Sequence, residues 1–237
     1  MIQRVFTKMV KLSRRNWLQS KELEWAHVYH DSIRGTPWLE SLQLNVGRWA
    51  GSYALFYILN RVLKEHRPGS IVEFGLGEST KFISAFLDHE LPETTHLAIE
   101  QSDQWRTAFC DRSQLNDRVT IDICELMQKE VQGHASNCYQ GIEKFADRKF
   151  DFYIIDGPFG SDRFSRFDMV RIAENLTKED QFIFLIDDYE RKGEAESAEH
   201  LIKQLEKKGI EIHRGLYEGN ATVLMICTEK YRYATSL

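Results

Sequence analysis

Proline and cysteine are both scarce: the 237 residues include 4 Pro and 4 Cys. With only 14 Gly beside them, collagen-like and proline-rich architectures are excluded. Cys110, Cys124, Cys138 and Cys227 are too far apart for a Cys-x-x-Cys knuckle and too few for a disulfide scaffold of this length. Reduced thiols and a cytoplasmic setting are therefore expected. Positive charge is not in excess either, since 31 Lys and Arg face 36 Asp and Glu for a net charge of −5. Nucleic acid is not an expected partner, because it requires a basic footprint. The longest nearly uncharged run, from Trp49 to Leu59, is about half of the ~20 residues a membrane-spanning helix needs. The first residues, MIQRVFTKMVKL, break their apolar character with Arg4, Lys8 and Lys11, so an export signal is not expected.

The chain has ample material for one core, being 42% hydrophobic and 12% aromatic with charges of both signs interspersed. One domain with an extension is the expected organisation: a helical extension over 1–45 and a main domain over 46–237. Charge is uneven along the extension, where Arg4, Lys8, Lys11, Arg14, Arg15 and Lys21 have no acid among them. Helical spacing puts Ile2, Val5, Phe6, Met9 and Val10 on one face, predicting a basic amphipathic helix over residues 2 to about 15. Such a helix suits either an anionic membrane surface, here the inner face, or a homo-oligomer or domain contact made through residues 1–20. Residues 21–45 read as a second helix broken near Gly35-Thr36-Pro37, and Val46 to Glu65 as a third, ended by Arg67-Pro68-Gly69.

From Ser70 onward short apolar runs alternate with amphipathic stretches. Strands are predicted at 71–74, 96–100, 119–121, 152–155, 182–186, 210–213 and 222–227, with helices at 79–88, 103–110, 166–175 and 194–208. Strands separated by helices imply parallel βαβ units with helices on both faces of the sheet. Ligands of such sheets sit beyond the carboxyl ends of the strands. The first strand runs into Glu73-Phe-Gly75-Leu-Gly77-Glu-Ser79-Thr80, a glycine turn through which backbone can approach a nucleoside closely. Glu100 closes the next strand, where a carboxylate can accept both ribose hydroxyls. Thr80 replaces a third glycine, and Glu73 beside the turn would repel a pyrophosphate, which favours a phosphate-free, cationic nucleoside.

With these residues the chain resembles the class I S-adenosylmethionine-dependent methyltransferases, whose first motif reads acid-x-Gly-x-Gly, over roughly residues 50–230. The resemblance implies a three-layer α/β Rossmann-like methyltransferase fold, with a seven-stranded, mostly parallel sheet and an antiparallel last strand, preceded here by the helical extension. It implies S-adenosylmethionine as cofactor, with Glu73, Gly75, Gly77 and Ser79 around its methionine end, Glu100 at the ribose, Asp122 and Ile123 near the adenine and Asp156 beside the reacting methyl. The segments PWLES, GRWAGSYALFYIL, FGLGEST, DGPFGS and DDYERKGE look like a group of bacterial methyltransferase-like proteins of unsettled substrate, with surface-polysaccharide modification as a setting. Ser52 and Tyr53, after Arg48 and Trp49, are lid contacts or core.

Asp156 opens the segment after the fourth strand of the main sheet and can act as a general base or help hold a metal. Arg163 and Arg166 follow it and can either clamp an anionic substrate or pair with Asp162 and Asp168. The fifth strand ends in Asp187-Asp188-Tyr189, and converging carboxylates suit Mg²⁺ or Mn²⁺. The arrangement is similar to the metal-dependent catechol-type O-methyltransferases, which use an acid after the fourth strand and an acid-Asn pair after the fifth. Asp156 and Asp188 match the acids, and Tyr189 stands in place of Asn; a metal-free variant would use Asp156 or Asp188 as the general base. The leading expectation is O-methylation of a small polar or saccharide acceptor. The alternatives are an aminopropyltransferase-like enzyme and a catalytically silent nucleoside-binding scaffold tethered by its first helix.

Overall fold

A computed structural model of the chain describes residues 2–47 and 50–236, with side chains from Phe6 onward. The expectations for Arg48 and Trp49, and for the side chains of Ile2, Arg4 and Val5, lie outside the described residues. The two helices expected before Gly35 are one: α1 runs from Ile2 to Ser32. Nothing between Arg15 and Lys21 is a glycine or proline, so no residue there stops it. Gly35, with a φ of +80°, turns the chain, and Pro37 opens the short helix α2 (Pro37–Glu40). The third helix begins later than its apolar spacing suggests. Ser52 caps α3 (Tyr53–Arg61) by accepting from the Leu55 N–H, and a π turn over Val62–His66 prolongs it.

The second half of α1 anchors the extension. Glu22 accepts from the backbone N–H groups of Tyr53 and Asn220 at 2.8 and 3.0 Å, the Trp25 indole donates to the Glu218 carbonyl at 2.9 Å, and Tyr29 and Ile33 are buried. Every residue from Phe6 to Trp17 is exposed.

The main sheet has seven strands. β1 (Ser70–Phe74), β2 (Thr95–Glu100), β3 (Val119–Ile123), β6 (Phe152–Ile155) and β7 (Ile183–Ile186) are parallel. β8 (His213–Glu218) and β9 (Thr222–Cys227) close one edge, β9 running antiparallel to both β7 and β8. The order β3-β2-β1-β6-β7-β9-β8 puts its reversal between β1 and β6. α4 (Glu78–His89), α5 (Asp103–Cys110), α6 (Asp168–Ile172) and α7 (Lys192–Lys207) are the remaining α-helices among the described residues.

Two buried clusters lie on opposite faces of the sheet. Phe56, Phe82 and Phe86 fill one, and Phe74, Tyr153 and Phe184 the other, the last two rings stacked at 4.2 Å. Each such side chain contributes roughly 1.5–3 kcal/mol on burial.

Three sequence expectations shift here. The strand expected at 210–213 starts at His213 instead, because Gly209 adopts a φ of +71° and the Ile210 N–H bonds back to Leu205, closing α7. α6 is shorter than residues 166–175, since Arg166 has a φ of +56° that no helix accommodates. A hairpin was not expected at all: β4 (Leu126–Val131) and β5 (His134–Tyr139) pair about Gln132 and Gly133, whose φ values of 51° and 77° define a tight turn of the kind hairpins favour.

Asp168 fastens this hairpin to α6, accepting from the Tyr139 N–H at 2.7 Å and facing Arg171 at 3.0 Å. Its side chain is fully buried, and that burial outweighs the Arg171 charge, pushing the carboxyl up to about 6. Between about pH 4 and 6 the folded state thus holds a proton that the unfolded chain has released. This contribution is complete at low pH and is lost as pH rises through 6, on the order of 3 kcal/mol over that span. Asp168→Asn keeps an acceptor for Tyr139, so its denaturation midpoint, followed from pH 4 to 7, should decline less steeply than that of the parent; parallel curves refute this reading.

Candidate active site

The site lies at the carboxyl ends of β1, β2, β6 and β7. Gly75 leaves β1 with a φ of +107°, a conformation that glycine reaches without strain, and its N–H bonds the Ile99 carbonyl of β2. Gly77 caps α4, and its φ of −171° is ordinary extended backbone. A Cβ there would meet no atom within 4 Å beyond its chain neighbours. The fold itself does not require glycine at 77, whereas a ligand crossing the turn does, so the cradle fits a nucleoside cofactor.

Glu73 is fully buried beneath this turn. Ser79 donates to one of its oxygens, Thr80 donates to the other at 2.7 Å, and the His96 ring lies 3.1 Å away without hydrogen-bond alignment. Glu73 and Ser79 thus brace the start of α4 from below. Glu100 points at the turn from β2, accepting from the N–H groups of Leu76 and Ser102 at 3.2 and 2.8 Å. Burial raises its pKa, opposed by those N–H groups and by that of Gln101. Asp122 and Ile123, expected in the loop after β3, are its last two residues, and Asp122 pairs with Lys144 at 2.6 Å.

Asp156 and Asp187 leave the adjacent strands β6 and β7, and their N–H groups continue the ladder to Phe74 and Ile155. Carboxylate oxygens of Asp156, Asp187 and Asp188 lie within 4.8 Å of one another. Burial pushes Asp156 up to about 6, Asp188 and Glu73 adding to the rise while Arg166 and Arg191 oppose it. Asp187 is driven well above the usual carboxylate range by burial and then by Asp156 and Asp188. Burial and its neighbours thus push this carboxyl toward the protonated form, with Arg166 opposing.

The two arginines expected at the mouth do not act together. Arg163 is held by Glu196 at 2.7 Å on the flank of α7. Arg166 is buried, and one guanidinium nitrogen reaches Asp156 at 3.2 Å and Asp188 at 2.8 Å while the other donates to the carbonyls of Ile155 and Asp187. Burial disfavours its charge, but Asp156, Asp188, Asp187 and Glu194 outweigh that and raise its pKa further. The expected pairings with Asp162 and Asp168 do not form: Asp168 takes Arg171 instead. Mg²⁺ or Mn²⁺ on Asp156 and Asp188 does not fit these residues, since a fixed cation already bridges them and Tyr189 donates its hydroxyl away, to Glu199 at 3.2 Å.

Four further residues contribute to the site. Glu194, almost wholly buried, accepts from Ser165 at 2.9 Å and faces Arg166. Arg191 reaches Asp188 at 2.8 Å. Trp105 donates its indole N–H to the Leu76 carbonyl at 2.7 Å, laying a partly exposed ring beside the glycine turn. Gln101 accepts from the Phe159 N–H at 3.0 Å, tying the end of β2 to the loop after β6. Trp105 had a local signal, an aromatic in the first turn of the helix after Glu100; the others become neighbours only through the sheet.

This strand order, the antiparallel closing pair and the glycine turn together define the Rossmann-like fold of class I methyltransferases. Among solved structures the chain is similar to the O-methyltransferase TomG from Streptomyces achromogenes, involved in tomaymycin synthesis and crystallised with S-adenosylmethionine. The TM-score is 0.55 at 11% identity, over 90% of this chain and 98% of that one. It is similar to cofactor-bound Rv0187 from MTB, with a TM-score of 0.53 at 12% identity over 89% of each chain. The O-methyltransferase from Bacillus cereus in complex with S-adenosylhomocysteine gives 0.50 at 13% identity, over 85% of this chain and 91% of that one. No protein-family model and no curated protein sequence matches the chain.

Proposed function

We propose that the protein is an S-adenosylmethionine-dependent methyltransferase that methylates a hydroxyl of a small polar acceptor, a saccharide included. The observation that carries this reading is the Gly75–Gly77 turn, open in front and flanked by Glu100, with Asp156 at the end of the next strand of the sheet. When bound, S-adenosylmethionine supplies a sulfonium methyl that transfers to an acceptor oxygen, the electron pair of the broken bond staying on sulfur. Glu100 holds the ribose hydroxyls, and Asp122 and Ile123 border the adenine. Glu73, through Ser79 and Thr80, keeps the glycine turn in place at the methionine end. Asp156 is ionised above about pH 6 and takes the proton that the acceptor hydroxyl loses. The exposed Phe159 ring offers an apolar face to the acceptor. The aminopropyltransferase reading is not favoured, because Arg166 lies among the acids a polyamine would need. Calorimetry with S-adenosylhomocysteine tests the reading: one-to-one binding is expected, and none detected removes it.

A second surface supports a location. On helical spacing the exposed Phe6, Met9, Val10, Leu12 and Trp17 share one arc of α1, while Lys8, Lys11, Arg14 and Arg15 share the opposite one. That division suits a helix lying on anionic lipid, apolar face down, with each cation worth about 1 kcal/mol. No helix among the described residues is long and apolar enough to cross a membrane. The chain should sediment with phosphatidylglycerol vesicles and not with neutral ones, and removal of residues 1–20 should abolish this without changing affinity for S-adenosylhomocysteine. A full-length chain that stays in the supernatant with both vesicle types, and forms dimers that the truncation breaks, assigns the helix to self-association instead.

A further inference from the structure

We propose that Arg166 is the resident cation of the acidic cluster, tethered where a divalent metal would otherwise bind, so that the site excludes metal by construction. Three carboxylates whose oxygens lie within 4.8 Å of one another form a hard-oxygen cage. Unneutralised, such a cage either collects a cation or binds protons. Here one is built in.

The local backbone aims it. Phe164 and Arg166 both adopt positive φ, 46° and 56°, a conformation non-glycine residues hold only when their surroundings impose it. The left-handed bend sends the Arg166 side chain back under the sheet ends, where it is 4% exposed. One nitrogen donates to the carbonyls of Ile155 and Asp187, at 3.3 and 3.1 Å, and so spans the ends of β6 and β7. The other bridges Asp156 and Asp188 at 3.2 and 2.8 Å. Glu194 lies 3.9 Å from the remaining nitrogen, and Arg191 takes the second oxygen of Asp188 at 2.8 Å.

A divalent ion entering this cage would meet a positive charge that cannot diffuse away. It would also have to displace the Arg166 ion contact to Asp156 and the hydrogen bond to Asp188, and it would gain no ligand from Tyr189, whose hydroxyl is bound to Glu199. Arg166 is accordingly a positioning residue. It holds the Asp156 carboxylate by an ion contact at 3.2 Å and supplies the charge balance that a metal would give. This holds whether or not the glycine turn binds S-adenosylmethionine, and a failure of cofactor binding leaves it untouched.

Electron paramagnetic resonance of Mn²⁺ tests it, in a Glu229→Gln background that removes an unrelated surface cluster of Glu211, His213 and Glu229. With Arg166 present, millimolar protein should leave the free Mn²⁺ signal undiminished. Arg166→Ser should bind one Mn²⁺ at least about tenfold more tightly, and its melting temperature should rise with Mn²⁺ as linkage requires. Arg166→Lys, which keeps a cation, should behave like the parent. One tightly bound Mn²⁺ in the parent, lost on Asp156→Asn, overturns the proposal, and so does a folded Arg166→Ser that binds no more Mn²⁺ than the parent. If Arg166→Ser folds only when Mn²⁺ is supplied during refolding, that rescue supports it; if Arg166→Ser stays unfolded with Mn²⁺ present, the parent titration alone decides.

Discussion

Gly77→Asn is expected to lower affinity for S-adenosylhomocysteine by at least about a hundredfold while leaving the melting curve nearly unchanged. The two effects separate because position 77 sits at the boundary between protein and open space. Its backbone is extended, a Cβ built on it meets no atom within 4 Å beyond its chain neighbours, and it caps α4, a place where asparagine is among the preferred residues. The helix therefore loses nothing, whereas the ligand loses the space through which it approaches the backbone. A hundredfold loss corresponds to about 2.7 kcal/mol, a plausible cost for a side chain of that size in a cradle shaped for none. Calorimetry and a thermal melt on the same preparation give the answer. If affinity survives intact, the cofactor does not cross this turn.

The second large effect concerns proton removal. Asp156→Asn should reduce turnover of any accepted hydroxyl by roughly a hundred- to ten-thousand-fold, the range for loss of a positioned base, with affinity for S-adenosylhomocysteine held within about threefold. For the parent, kcat/KM should rise with pH through an apparent value of about 6. The sign follows from the chemistry, since a carboxyl raised by burial is protonated and idle below that value and ionised above it. Asp156 and Asp187 face each other closely enough that the profile reports the pair rather than either carboxyl. Were turnover flat from pH 5 to 8, proton transfer to this cluster would not limit the reaction.

The glycine turn, Glu100 and the two aspartates were legible in the sequence because each is local: a strand of apolar residues ends and the informative residue comes next. The sheet could be read for the same reason, β6 and β9 to the residue. What escaped depends on contacts remote in sequence. The role of Arg166 is set by strand ends eleven and twenty-one positions away and by a left-handed backbone that no composition rule marks. Arg163 looked equivalent to it and faces the other way. Glu73 was legible as an acid beside the glycines, but not as one whose oxygens are already taken by Ser79 and Thr80. The hairpin hid because Leu126 to Tyr139 alternates only weakly, so Gln132-Gly133 was its one sharp mark.

That hairpin has a bearing on how acceptor choice could diversify. Asn137 donates its N–H to the Ser161 hydroxyl oxygen and its side-chain amide to the carbonyls of Phe159 and Gly160, and Ser136 donates to the Phe164 carbonyl. The rim of the cleft is thus moulded by a hairpin that forms no part of the seven-stranded sheet. Changes in the hairpin's length or polarity can remodel that rim while the residues beneath it, proposed above to hold the nucleoside, stay as they are. On the proposed function, acceptor choice would then be set by a peripheral ribbon, separately from the machinery below it.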